Sequence, residues 1–112
     1  MGISTHILDT ALGRPATDVP VALSRWQAER WHLLSESITD ADGRARQLLP
    51  EGAPLDPGLY RLRFDTAAYY EAQQLTGLYP FVEIAFEVRS SQAHYHIPLL
   101  LTANGYTTYR GS

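Results

Sequence analysis

The 112-residue sequence carries nine Lys and Arg against twelve Asp and Glu, a formal net charge of -3, no cysteine and 45% hydrophobic residues. That length suits one domain, residues 1–112, whose hydrophobic core needs no metal or disulfide staple. The missing cysteines remove disulfides, thiolate nucleophiles and cysteine-based zinc sites and fit a reducing compartment, the cytoplasm, and the small, evenly spread negative charge argues against nucleic-acid and membrane partners.

The opening Met1-Gly2-Ile3-Ser4-Thr5-His6 has neither a basic start nor a long apolar stretch, so it reads as neither a secretory signal nor a transmembrane helix. Met1-Gly2 lacks the sixth-position hydroxyl of a myristoylation start. Ile3 to Leu8 reads as a strand, closed by the Gly13-Arg14-Pro15 turn signal. Val21 to Gln27 and His32 to Ile38 follow as strands, and Asp40-Ala41-Asp42-Gly43 as a turn. A short strand over Arg44 to Leu48 comes next, then turns at Glu51-Gly52-Ala53-Pro54 and Asp56-Pro57-Gly58. Tyr60, Leu62 and Phe64 alternate with Arg61 and Arg63, and Val82, Ile84, Phe86 and Val88 alternate with Glu83, Ala85 and Glu87. Both runs have the period of a strand with one face buried. Between them Thr66 to Leu75 reads as a short helix on a sandwich edge, capped by Asp65 or Thr66 and ended by Gly77. His94 to Leu101, an Asn104-Gly105 turn and Tyr106 to Arg110 complete roughly seven or eight strands, as an all-β two-sheet sandwich requires.

Of the four histidines, His6, His94 and His96 lie in strand-like segments with apolar neighbours, whereas His32 reads as surface. Alternation puts His94, His96 and Pro98 on one face of their strand and Tyr95, Ile97, Leu99 and Leu101 on the other. With the second set in the core, the histidine face turns outward. Its continuation through Pro98 and Leu100 is too apolar for plain solvent, so it meets a pocket or a partner subunit. Two readings of the histidines stay open: ordinary hydrogen-bonded sheet residues, or a metal site with His6 as third ligand to His94 and His96. Arg44 follows Asp42-Gly43, a hairpin-type signal that starts a strand at that residue. It is either a solvated turn arginine or a fixed guanidinium that grips a planar, carbonyl-rich or anionic ligand by paired hydrogen bonds.

Several segments together carry a resemblance: Ser4-Thr5-His6-Ile7-Leu8-Asp9, Gly13-Arg14-Pro15-Ala16, Asp42-Gly43-Arg44, His94-Tyr95-His96-Ile97-Pro98-Leu99-Leu100-Leu101 and the final Tyr109-Arg110-Gly111-Ser112. Over its whole length the sequence resembles the 5-hydroxyisourate hydrolases, transthyretin-like enzymes of urate breakdown. The final Tyr-Arg-Gly-Ser separates those enzymes from the hormone-carrying transthyretins. The resemblance implies a prealbumin-type sandwich with one short helix, a homotetramer built as a dimer of dimers with sites at subunit interfaces, and no cofactor or metal. It also implies a catalytic set of His6, Arg44, His96 and Ser112, with Tyr109, His6 and Arg44 contacting substrate and His94 supporting. Ala103 departs from the family, where proline is frequent, and Ile7 and Ile97 stand where valine is frequent.

The reaction so implied is hydrolytic opening of 5-hydroxyisourate at its N1–C6 amide, giving 2-oxo-4-hydroxy-4-carboxy-5-ureidoimidazoline. It needs an activated water, a stabilised oxyanion and a proton for the leaving nitrogen. His6 or His96 serves as general base and the other orients water or donates a proton. Arg44 holds the carbonyl edge, and the hydroxyl or carboxylate of Ser112 hydrogen-bonds water or a histidine. A covalent role for Ser112 lacks the Gly-x-Ser-x-Gly elbow. A small-ligand carrier on the same sandwich is the competing function.

Overall fold

The computed structural model describes residues 2–112, and among these the chain forms nine strands and one helix. They are β1 (Gly2–Asp9), β2 (Arg14–Pro15), β3 (Pro20–Gln27), β4 (Arg30–Ile38), β5 (Arg44–Ala45), β6 (Gly58–Phe64), α1 (Thr66–Glu71), β7 (Val82–Val88), β8 (His94–Thr102) and β9 (Gly105–Thr108). One sheet has the order β4-β3-β6-β7. The other runs β2-β1-β8-β9, with β5 also paired to β1. The all-β two-sheet sandwich with one short helix is therefore as expected, and Arg14–Pro15, read as turn, adds a two-residue strand beside Leu8 and Asp9.

The core lies between the sheets. Ile3, Ile7, Leu99 and Leu101 from one sheet and Leu23, Tyr60, Leu62 and Phe64 from the other are each at most 1% exposed. These residues alternate with outward ones, so the period of two decides which face of each strand leaves water. At β7 the alternation is met only in part: Val82 and Val88 are buried while Ile84 and Phe86 are half-buried. The reason is position, because β7 is an edge strand that pairs on one side only, with β6.

Several boundaries moved. β3 and β4 meet at a two-residue turn, Ala28-Glu29, with φ of 53° and 62°. Two left-handed residues are the turn that sheet twist demands, yet neither residue type advertises it. The helix ends before the expected Leu75. Asp65 Oδ1 caps its start by accepting from Ala68 N–H at 3.0 Å, and Gln74 (φ 58°), not Gly77, turns its end. There Leu75 N–H reaches Tyr70 O at 2.9 Å and Gln74 N–H reaches Glu71 O at 2.9 Å, the paired closure that satisfies the last carbonyls. The final hairpin turns at Ala103 and Asn104, one residue early, with Gly105 already in β9 opposite Thr102. Helix α1 is held to the sheet end by Tyr69 Oη, which donates to the buried Asp9 Oδ2 at 2.7 Å; burial and then this bond push the phenol up to about 12. No helix among the described residues is long and apolar enough to cross a membrane.

Candidate active site

Strands β1 and β8 run parallel, with Ser4 opposite His96 and His6 opposite Pro98, and β5 lies on the other side of β1 with Arg44 opposite His6. Directly opposed residues in a ladder project to the same face, so Ser4, His6, Arg44, His96 and Pro98 share the outer face of this sheet. The inner face of the same strands is core, with Ile3, Ile7 and Leu99 fully buried. His94 is exposed, His96 half-buried and Pro98 buried, which is the outward but not openly solvated face expected from alternation.

Arg44 is the first residue of β5, as expected, but the Asp42-Gly43 signal does not make a hairpin: β5 pairs with β1, not with β4. The turn instead carries the chain from one sheet to the other. Asp40 organises it, its Oδ1 accepting from Asp42 N–H at 2.9 Å and Arg44 N–H at 3.0 Å. The Arg44 amide, first among these contacts, holds the Asp40 carboxyl below the ordinary carboxylate range. Gly43 has φ 74°, and a Cβ there would stand 2.5 Å from Ile7 O, so only glycine lets the turn close against β1 and set Arg44 beside His6. Among the described residues no carboxylate pairs with the Arg44 guanidinium, which leaves it free to take a ligand.

The last residues return over this face. β9 follows β8 as far as Leu99 opposite Thr108; the ladder then lapses at Tyr109, opposite Pro98, and resumes as a bridge between His96 and Gly111. Pro98 has no N–H to offer at that step, whereas Gly111 N–H donates to His96 O at 2.8 Å. A Cβ on Gly111 would stand 2.4 Å from His96 Cδ2, so the backbone packs directly on the imidazole. Ser112 thereby reaches an open pocket of about 280 Å³ lined with Ser4, Arg44, Arg46, His94 and His96.

Burial lowers the pKa of both His96 and His6, and the Arg44 guanidinium lowers each further. Both rings are therefore neutral at pH 7 and able to accept a proton. The structure thus brings His96, Arg44 and Ser112 to one pocket and sets His6 next to Arg44. It does not bring Tyr109 there: that ring is 57% exposed and lines a separate cleft with Ile84, Phe86, Tyr95 and Arg110. Ser4 and Arg46 belong to the pocket and were not singled out from sequence. Period-two alternation places Ser4 beside His6, but only the β1–β8 register sets it against His96. His32, read as surface, is half-buried in β4, its Nε2 2.9 Å from Gln27 O.

The metal arrangement on His6, His94 and His96 does not form. Ser4 Oγ stands between His94 Nε2 and His96 Nδ1, 2.8 Å from each, so one nitrogen of each ring is already hydrogen-bonded. Among the described residues no group of three or more His, Cys, Asp or Glu side chains could hold a metal ion.

Comparison with known proteins extends this picture to the whole chain. It is 44% identical over 115 residues to the 5-hydroxyisourate hydrolase of Caulobacter vibrioides, covering 99% of this chain and 98% of that one. The structure of Klebsiella pneumoniae 5-hydroxyisourate hydrolase superposes with a TM-score of 0.85 at 35% identity, covering 98% of this chain and 92% of the other. Sea bream transthyretin in complex with thyroxine superposes with a TM-score of 0.90 at 32% identity, covering 99% and 95%. The model of the HIUase/Transthyretin family matches residues 3–111. With its sandwich and nearly all of its length in common with these proteins, the chain belongs to the HIUase/Transthyretin family.

Proposed function

We propose that this chain is a cofactor-independent hydrolase that opens 5-hydroxyisourate at the N1–C6 amide in urate catabolism, acting as one transthyretin-like domain in the cytoplasm. The observation that carries the reading is the meeting of two pKa-lowered histidines with an unpaired arginine on the outer sheet face, in a chain of the kind named 5-hydroxyisourate hydrolase in its relatives. A carrier of apolar ligands gains nothing from such a set.

The chemistry follows from the residues. A neutral His6 or His96 takes a proton from water as its oxygen attacks C6. Arg44 holds the carbonyl edge and stabilises the charge growing on the C6 carbonyl oxygen. The N1–C6 bond then breaks, N1 takes a proton from the imidazolium, and the acyl side leaves as a carboxylic acid that ionises. Ser112 positions the water or a ring nitrogen by hydrogen bonding. Tyr109 contacts the flat substrate from across a subunit boundary, since within the chain it lines another cleft.

A homotetramer, built as a dimer of dimers, fits the same reading. Strands β7 and β9 are both edges, on the same side of the sandwich. Unpaired edges invite pairing with a second copy, and the half-buried Ile84 and Phe86 would be covered by it. The test is the ultraviolet decay of 5-hydroxyisourate generated from urate by urate oxidase, with and without the protein and with a chelator in parallel. Acceleration that survives chelator is expected. No acceleration by folded protein overturns the hydrolase reading, and chelator-sensitive acceleration overturns its metal-free form.

A further inference from the structure

Ser4 has no part in the roles above, yet its buried hydroxyl stands between two histidines of the pocket. Ser4 is 7% exposed, and its Oγ lies 2.8 Å from His94 Nε2 and 2.8 Å from His96 Nδ1. A hydroxyl has one hydrogen to give, so the two ring nitrogens cannot both accept from it. A ring nitrogen that carries a proton donates to Oγ, and a bare one accepts from it.

Three arrangements satisfy this, the third having both ring nitrogens donate to the two lone pairs of Oγ while the hydroxyl hydrogen turns away. In the first, His96 Nδ1–H donates to Ser4, Ser4 donates to His94 Nε2, and His96 Nε2 keeps a free lone pair. In the second every bond is reversed, and His96 carries its proton on Nε2, where it cannot act as a base. We propose that Ser4 is a positioning residue for the hydrolysis, holding His96 in the first arrangement and tying its tautomer to that of His94. The proposal rests on the hydrolase reading above and gives the general-base role to His96.

The first arrangement needs no rearrangement during the reaction. When a water O–H breaks and its proton forms the Nε2–H bond of His96, Nδ1–H goes on donating to Ser4, and Ser4 to His94. The groups facing His96 are Arg44 from β5, His6 from β1, His94 from its own strand, and Ser112 and Arg46 at the pocket rim.

The test compares Ser4→Ala, Ser4→Thr, His94→Phe and the Ser4→Ala/His94→Phe double variant, with nitrogen NMR of the histidine rings as a readout independent of catalysis. In the unaltered protein at neutral pH, His96 is expected protonated at Nδ1 and bare at Nε2, and Ser4→Ala is expected to mix the tautomers. Ser4→Ala should lose at least about tenfold in kcat, part of the 10²–10⁴ that a positioned base supplies, with KM within about twofold because the Ser4 hydroxyl is engaged by the two rings. Ser4→Thr keeps the hydroxyl on a β-branched strand residue and should restore kcat and the single tautomer. The double variant should be no slower than the slower single one. An Nε2-protonated His96 in the unaltered protein, full kcat in Ser4→Ala, no recovery in folded Ser4→Thr, or losses that multiply in the double variant would each overturn the proposal. Absence of hydrolysis in the unaltered protein would overturn the hydrolase reading instead, while the nitrogen spectra still report whether Ser4 sets the tautomer.

Discussion

Arg44 shows how one residue changes meaning between chain and fold. In sequence it is a turn arginine after Asp42-Gly43. In the structure its strand lies against β1 opposite His6, with no carboxylate on its guanidinium. Replacing Arg44, His6 or His96 with alanine removes charge stabilisation or proton transfer but no core contact. Each is expected to lower kcat/KM for 5-hydroxyisourate by about 10²–10⁴, with assembly unchanged in sedimentation. The pH dependence has a definite sign. In the proposed mechanism the active form has His6 and His96 neutral, and both pKa values lie below the ordinary 6.5, so activity is expected to hold as pH falls past 6.5 and to be lost only at the lowered values. A kcat/KM profile checks this, and an acid limb above 6.5 contradicts it. Arg44→Ala should move that limb upward, because the arginine charge opposes protonation of both rings.

At the scale of elements, alternation was a dependable guide and turn chemistry was not. The period of two in Tyr60 to Phe64 and His94 to Leu101 named the buried face of β6 and β8, because burial of alternate side chains is what selects the pattern. The β3–β4 turn was invisible: Ala28 and Glu29 take positive φ with no glycine or asparagine to mark it, because the pairing of two long strands outweighs the local cost. That cost is recoverable. Ala28→Asn with Glu29→Gly should stabilise the protein by about 1–2 kcal/mol, from relief of left-handed strain, seen as a higher denaturation midpoint with unchanged activity. Helix α1 stopped short for a related reason, since Gln74 took the left-handed closing position that the sequence offered to Gly77.

For the whole molecule, the question is how copies associate. Edge strands β7 and β9 lie on one side, and the cleft beside them holds Ile84, Phe86 and Tyr109. Sedimentation equilibrium should give a tetramer of the 12.5 kDa chain. Phe86→Glu, which would bury a charge at a paired edge, should give smaller species with much reduced kcat, as a substrate site shared between copies requires. A tetramer unaffected by that change would place the contact elsewhere.

The sequence by itself determined the two-sheet sandwich, the buried faces of β6 and β8 and, through its motifs, the family and the identities of His6, Arg44, His96 and Ser112 as site residues to test. These are local or pattern properties, written in alternation and in residue type. Tertiary structure alone decided that β5 leaves its own neighbour to pair with β1, that Gly111 packs on the His96 ring, that Tyr109 lies in another cleft, and that Ser4 bridges His94 and His96. Each of these is a contact between segments far apart along the chain. Register across a sheet is set by the packing of the whole core, which no single segment encodes.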